Sequence, residues 1–126
     1  MSLILTLDAG TTSIKGALFD LSGATLCSKA IEYNLEKPEP DIVELDPEVY
    51  WRAAVEVVGE ILKSANVDSR RIKALGVTSQ GETLVVLDKD GRPLRKAIVW
   101  LDNRARDEAA AIGERFGREL VHKTTG

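Results

Sequence analysis

The chain has 126 residues, 44% of them hydrophobic, which is enough for one domain burying roughly 65–70% of its unfolded surface. Its 17 basic and 20 acidic side chains are interspersed and sum to a net charge of −3, so it lacks the basic patch that nucleic acid or an anionic membrane surface requires, and neither is expected as a partner. The single cysteine, Cys27, excludes an intrachain disulfide; with an amino terminus unlike a signal peptide and no apolar run of membrane-spanning length, it points to the cytoplasm.

Leu3 to Leu7 and Ile14 to Phe19 read as strands flanking the run Asp8-Ala9-Gly10-Thr11-Thr12-Ser13. A carboxylate at a strand tip, followed by a glycine and hydroxyls, suits the phosphates of a nucleotide and their metal. Gly10 lets the backbone approach an anion, successive N–H groups can form a concave nest, and Thr11, Thr12 and Ser13 add neutral donors. Asp8 would face magnesium, mostly through water, because that ion gives up its hydration reluctantly. No Gly-Lys-Ser/Thr follows and the next segment is a strand, so this is no Walker A loop but a strand-turn-strand phosphate site. The alternative is a plain glycine turn, which needs fewer hydroxyls than Thr-Thr-Ser supplies. Lys15 either reaches a phosphate or extends into water.

Asp20-Leu21-Ser22-Gly23 predicts a hairpin into a third strand, Ala24 to Tyr33, and Asn34 to Leu45 reads as a loop. Asp46 then predicts a helix N-cap with Pro47 at the first helical position. Tyr50, Ala54, Val57, Val58, Ile61, Leu62 and Ala65 recur at helical spacing, giving one apolar face to cover a sheet. Ile72 to Thr78 is a further strand, ending in the polar group Ser79-Gln80-Gly81-Glu82. Thr83 to Leu87 and Ala97 to Trp100, around the turn Asp88 to Gly91, predict a second hairpin. From Asp102 the pattern is helical through Ala109 to Ala111 and Phe116, with Gly117 as a stop and no closing element over Lys123 to Gly126. His122 has neither Cys nor a second His nearby and reads as a surface residue. Three strands, a crossing helix and another strand argue for an α/β, ribonuclease H-like mixed sheet with flanking helices, as in the actin-like ATPases.

Beyond the phosphate turn, chemistry is concentrated at two places. Gln80 and Glu82 follow a buried strand and suit a polyhydroxylated ligand, since a carboxylate accepts from two hydroxyls at once; the alternative is ordinary loop polarity. Trp100 offers a flat face for a carbon skeleton, whereas Asp102 is either a ligand contact or the N-cap of the following helix. Arg104 either pairs with a neighbouring carboxylate or lies on the helix surface.

These residues resemble the amino-terminal part of the FGGY carbohydrate kinases. Leu7 to Ser13 is similar to the family's first phosphate motif, and Val43-Glu44-Leu45-Asp46-Pro47 with Trp51 to its loop and helix entry. Ala74 to Thr83 is similar to its strand and substrate loop, Ala97 to Trp100 with Asp102 and Arg104 to the next substrate segment, and Thr124-Thr125-Gly126 to the start of a further motif. The resemblance implies an ATP- and Mg2+-dependent carbohydrate kinase acting on a pentulose, hexulose or polyol, in a two-domain actin-like fold with ligands in the cleft. It assigns Asp8 to the metal, Gly10, Thr11, Thr12, Ser13 and Lys15 to phosphate, and Gln80, Glu82, Trp100 and Asp102 to the acceptor. Glycerol kinases carry arginine where this chain has Gly81, which implies an acceptor longer than glycerol. The family's catalytic aspartate is expected beyond Gly126. The chain therefore reads as an inactive fragment comprising the N-terminal part of the first domain, incomplete and without the second, and a homodimer is a possible assembly. The other functional class is a non-catalytic actin-like nucleotide-binding module, which would need no acceptor pocket.

Overall fold

The computed structural model describes residues 2–126. β1 (Leu3–Ala9), β2 (Ser13–Asp20) and β3 (Thr25–Glu32) form an antiparallel meander. After a short β4 (Glu44–Leu45) the helix α1 (Pro47–Ala65) crosses back, and β5 (Ile72–Ser79) joins parallel to β1, giving the sheet order β3-β2-β1-β5. This is the mixed sheet expected from the succession of apolar runs.

Local chemistry explains the joints. Asp20 Oδ1 accepts from the N–H groups of Ser22 (2.8 Å) and Ala24 (3.0 Å) and from the Ser22 hydroxyl, which closes the β2–β3 hairpin. Asp46 is the N-cap of α1, accepting from Glu48 N at 3.0 Å, and Pro47 is the first helical residue. The helix stops at Asn66, whose left-handed φ of 47° suits a C-cap.

Strand alternation sends Leu3, Leu5, Ile14 and Leu18 to one face, where they bury against Ala53, Val57 and Ile61 of α1. Each large aliphatic side chain in this layer contributes about 1.5–3 kcal/mol. Gly16 sits where the helix comes closest: a Cβ there would lie 2.7 Å from Ile61 Cδ1 and 3.4 Å from Val57 Cγ2. The predicted helix face is thus the one that packs, with full burial shifted by one residue from Ala54 to Ala53. The opposite sheet face carries Thr6, Asp8, Lys15 and Ala17, which line an open hollow, and among the described residues no helix packs on it.

Four segments depart from the sequence reading. The stretch expected to be a loop as far as Leu45 closes in β4, which pairs antiparallel with β6 (Ala97–Ile98). The second hairpin is consequently loose, held by reciprocal Leu84–Ile98 bonds of 2.9 Å and a Leu87–Pro93 bridge, because the partner of Ala97 is Leu45. The helix expected from Asp102 begins only at Arg106, as α2 (Arg106–Phe116), with Ala105 and no side-chain cap before it. Gly117, at a φ of 82°, breaks the chain as predicted, but α3 (Arg118–Thr125) then extends over Lys123 to Thr125. Val43, Leu45 and Val99 form a second small core, against which Tyr33, Leu35, Val49 and Tyr50 pack.

Candidate functional site

The β1–β2 turn is tight: Gly10 N–H donates to Ser13 O at 2.9 Å, and a Cβ on Gly10 would meet that oxygen at 3.0 Å. The turn is therefore built for glycine. Ser13 belongs to β2, and Thr12 O accepts from Tyr33 N–H at 3.0 Å. The Tyr33 hydroxyl donates to Gly10 O at 2.6 Å. Burial, then the neighbouring Tyr50 and Asp8, push the Tyr33 phenol up to about 12, so it keeps its proton and donates at any physiological pH.

The loop after β5 meets this turn because β5 runs parallel to β1, which brings both strand ends to the same edge. Gln80 N–H donates to Ala9 O at 2.9 Å. The Gln80 side chain donates from Nε2 to the Tyr50 hydroxyl at 3.2 Å, while its Oε1 is buried without a hydrogen-bond partner. Thr83 N–H reaches back to Gly81 O at 2.8 Å around Glu82, whose φ of 61° is in the left-handed region. Such a conformation costs on the order of 1–3 kcal/mol in a residue with a side chain and is found preferentially at functional sites. Trp100 completes the arrangement, its indole N–H donating to Thr11 Oγ1 at 2.8 Å and its backbone N–H to Thr83 Oγ1 at 3.3 Å.

Asp8, Gly10, Thr11, Ser79, Gln80, Gly81, Glu82 and Trp100 therefore line one open hollow of about 480 Å3. Six of the ten residues singled out in the sequence meet there. The others are placed elsewhere. Lys15 stands opposite Asp8 in the β1–β2 register, on the open sheet face. Thr12 borders a separate hollow with Tyr33, and Ser13 contributes its backbone oxygen to the turn.

Asp102 is neither helix cap nor part of the hollow. Its Oδ1 accepts from Arg104 N–H (3.0 Å) and Nε (2.8 Å), and its Oδ2 from Val43 N–H and an Arg104 terminal nitrogen, both at 2.7 Å. Only 4% of its side chain is exposed. The Arg104 guanidinium in particular holds the Asp102 carboxyl far below the usual carboxylate range, and the pairing correspondingly raises Arg104. Arg104 also reaches Glu44 Oε1 at 2.8 Å, where Arg95 adds a contact of 2.5 Å. This network ties β4 to the segment after Val99 and so fixes where Trp100 stands.

Tyr33 and Tyr50 were not picked out from the sequence: the first ends a strand and the second fits a helix face, and neither context signals a site. Glu82's positive φ likewise has no sequence signature, since glutamate is not a residue that announces a left-handed turn.

The donor set fits a magnesium ion. The Asp8 carboxylate makes no hydrogen bond or ion pair with the described residues, and it shares the hollow with the Thr11 hydroxyl. No group of three or more metal-ligating side chains occurs among the described residues. One free carboxylate suits an ion that keeps several waters and takes the rest of its shell from phosphate oxygens. No helix among the described residues is long and apolar enough to cross a membrane.

The sequence profile of the FGGY family of carbohydrate kinases, N-terminal domain, matches residues 3–126. A glycerol kinase of Chromobacterium violaceum is 38% identical over 124 residues, covering 98% of this chain and 25% of the relative. A ligand-bound xylulose kinase from Lactobacillus acidophilus superposes with a TM-score of 0.88 at 27% identity, covering 98% of this chain and 24% of that one. Plasmodium falciparum glycerol kinase with ADP gives a TM-score of 0.81 at 25% identity, over 92% of this chain and 24% of its own length. The chain thus spans about a quarter of the length of the relatives it matches. The fold is that of these sugar kinases, the actin-like ATPase fold.

Proposed function

Since the chain belongs to the FGGY family of carbohydrate kinases, we propose that it is the N-terminal part of the first actin-like domain of an ATP-dependent kinase that transfers the γ-phosphoryl group to a hydroxyl of a sugar or polyol. The observation that carries this reading is the single hollow in which the Asp8–Thr11 turn faces Gln80, Glu82 and Trp100. A nucleotide switch needs the first group only.

Phosphoryl transfer depends mainly on holding the two reactants in line and on neutralising charge. The Thr11 hydroxyl and the turn's backbone N–H groups other than that of Gly10, which is bonded to Ser13 O, would hold phosphate oxygens, and Lys15 is close enough in register to Asp8 to add a cation from the open sheet face. Asp8 would hold magnesium, which supplies positive charge to the phosphates when bound. Glu82 would accept hydrogen bonds from two acceptor hydroxyls, the unpaired Gln80 Oε1 from a third, and Trp100 would pack against the carbon chain. Asp102 acts at one remove, through the position of Trp100. The base that removes the hydroxyl proton is assigned to the part of the relatives' length that this chain does not span.

The acceptor is a pentulose, hexulose or polyol of at least four carbons. A Cβ at residue 81 would meet nothing within 4 Å, so the space beside Glu82 is open, and the family resemblance implies that glycerol kinases fill it with an arginine. The 38% identity to a glycerol kinase is an average over 124 residues, whereas residue 81 borders the hollow itself. The test is a substrate panel with the full-length protein, with Asp8→Asn and Glu82→Ala alongside. Ketoses or longer polyols are expected to exceed glycerol in kcat/KM. Asp8→Asn should lower kcat at least ~100-fold with little change in acceptor KM. Glycerol as best substrate would overturn the acceptor assignment, and no phosphoryl transfer to any acceptor would overturn the kinase reading.

A further inference from the structure

Between the phosphate turn and the acceptor loop lie two tyrosines whose hydroxyls both point to the site segments rather than to solvent. We propose that Tyr33 and Tyr50 are positioning residues, a brace that fixes the Gly10–Thr12 turn relative to Gln80 without touching either reactant. The inference rests on the kinase reading above for its effect on turnover.

Tyr33 grips the turn at two points, its N–H on Thr12 O at 3.0 Å and its hydroxyl on Gly10 O at 2.6 Å. These bonds occupy the carbonyl oxygens of Gly10 and Thr12, so two points of the turn are tied to one residue. Its ring meets that of Tyr50 edge-to-face, with centroids 5.4 Å apart and planes at 88°. Tyr50 in turn accepts from Gln80 Nε2 at 3.2 Å. With the amide nitrogen held there, Gln80 Oε1 is the end left for a ligand, and it is buried without a partner. Both rings also pack against the second core of Val43, Leu45 and Val99, the last of which directly precedes Trp100. Ring packing alone would need phenylalanine; both positions carry a hydroxyl, and each hydroxyl is bonded to a different half of the site.

The test uses Tyr33→Phe and Tyr50→Phe in the full-length protein, since each keeps the ring and removes one bond. Amide hydrogen exchange is measured over residues 10–13 and 80–83, together with steady-state kinetics for ATP and for the best acceptor of the panel. For Tyr33→Phe, exchange over 10–13 should quicken at least ~3-fold and KM for ATP should rise ~5–10-fold, with acceptor KM moving less than ~2-fold. For Tyr50→Phe the pattern should reverse, with faster exchange at 80–83 and acceptor KM raised ~5–10-fold. Unchanged exchange in both segments, or ATP and acceptor KM moving together in step with a lower Tm, would overturn the brace. A wild-type protein with no phosphoryl transfer would sink the kinase reading instead, and the exchange pattern would still decide the brace.

Discussion

Glu82 shows most directly how one residue can be held against its backbone preference. A side chain at a φ of 61° is opposed by about 1–2 kcal/mol of steric cost relative to glycine, and the Thr83–Gly81 bond keeps it there. Glu82→Gly removes that cost but also adds freedom to the unfolded chain, so the two effects nearly cancel. Stability measured by urea titration is therefore expected to stay level or rise by up to about 1 kcal/mol. In the full-length protein the same variant should raise acceptor KM at least ~10-fold and leave ATP KM unchanged. Lower stability with unaltered acceptor kinetics would mean that the turn serves the fold alone. Glu82 and Gln80 were legible as candidates because they follow a strand, whereas the strain at one and the unpaired oxygen of the other depend on backbone geometry that no residue pattern encodes.

At the scale of elements, the joint between β4 and the Trp100 segment depends on charge. Asp102 and Glu44 both titrate below their ordinary values, chiefly because of Arg104. Groups with depressed folded values stabilise fully above the unfolded value, 3.8 for Asp102, and lose that stabilisation as pH falls through the folded value. The wild-type chain should thus lose stability steadily from about pH 5 downward. Asp102→Asn should be less stable at neutral pH by about 1–3 kcal/mol but show a flatter acid limb, read from urea midpoints across pH. Parallel acid limbs for the two proteins would remove Asp102 from the joint. Sequence patterning gave Asp102 two roles, contact or cap, and the structure uses a third, because Val43 N–H comes within 2.7 Å only once β4 has paired with β6.

Over the whole molecule, the sheet ends at β5, whose outer edge has no strand partner among the described residues and whose Leu75 and Val77 are 57% and 66% exposed. An open edge with apolar side chains is a template for pairing with another chain. The 126-residue chain by itself is expected to self-associate, with a weight-average mass in light scattering that rises with concentration, and Val77→Lys should shift it towards monomer. A strictly monomeric profile at high concentration would show that this edge is protected. The chain alone should also lack kinase activity, and ATP turnover above a contaminant control in the presence of a pentulose or polyol would contradict that.

Sequence alone determined the parts whose cause lies within a few residues. Asp20 and Asp88 fold their own turns by accepting from N–H groups two and four residues ahead, Asp46 and Pro47 start α1, and the spacing of Ala54, Val57, Val58 and Ile61 sets the side it packs. Asp8, Gly10 and Thr11 were legible for the same reason, since a turn's chemistry is local. Tertiary structure alone decided the contacts between distant residues: Trp100 with Thr11 across 89 positions, Asp102 with Val43 across 59, Gln80 with Tyr50 across 30, and Tyr33 with Gly10 across 23. Residue pattern constrains which side chains lie on a face, but a hydrogen bond requires its partners to approach within about 3 Å. Only the parallel docking of β5 on β1 and the packing of Val43, Leu45 and Val99 bring these pairs that close.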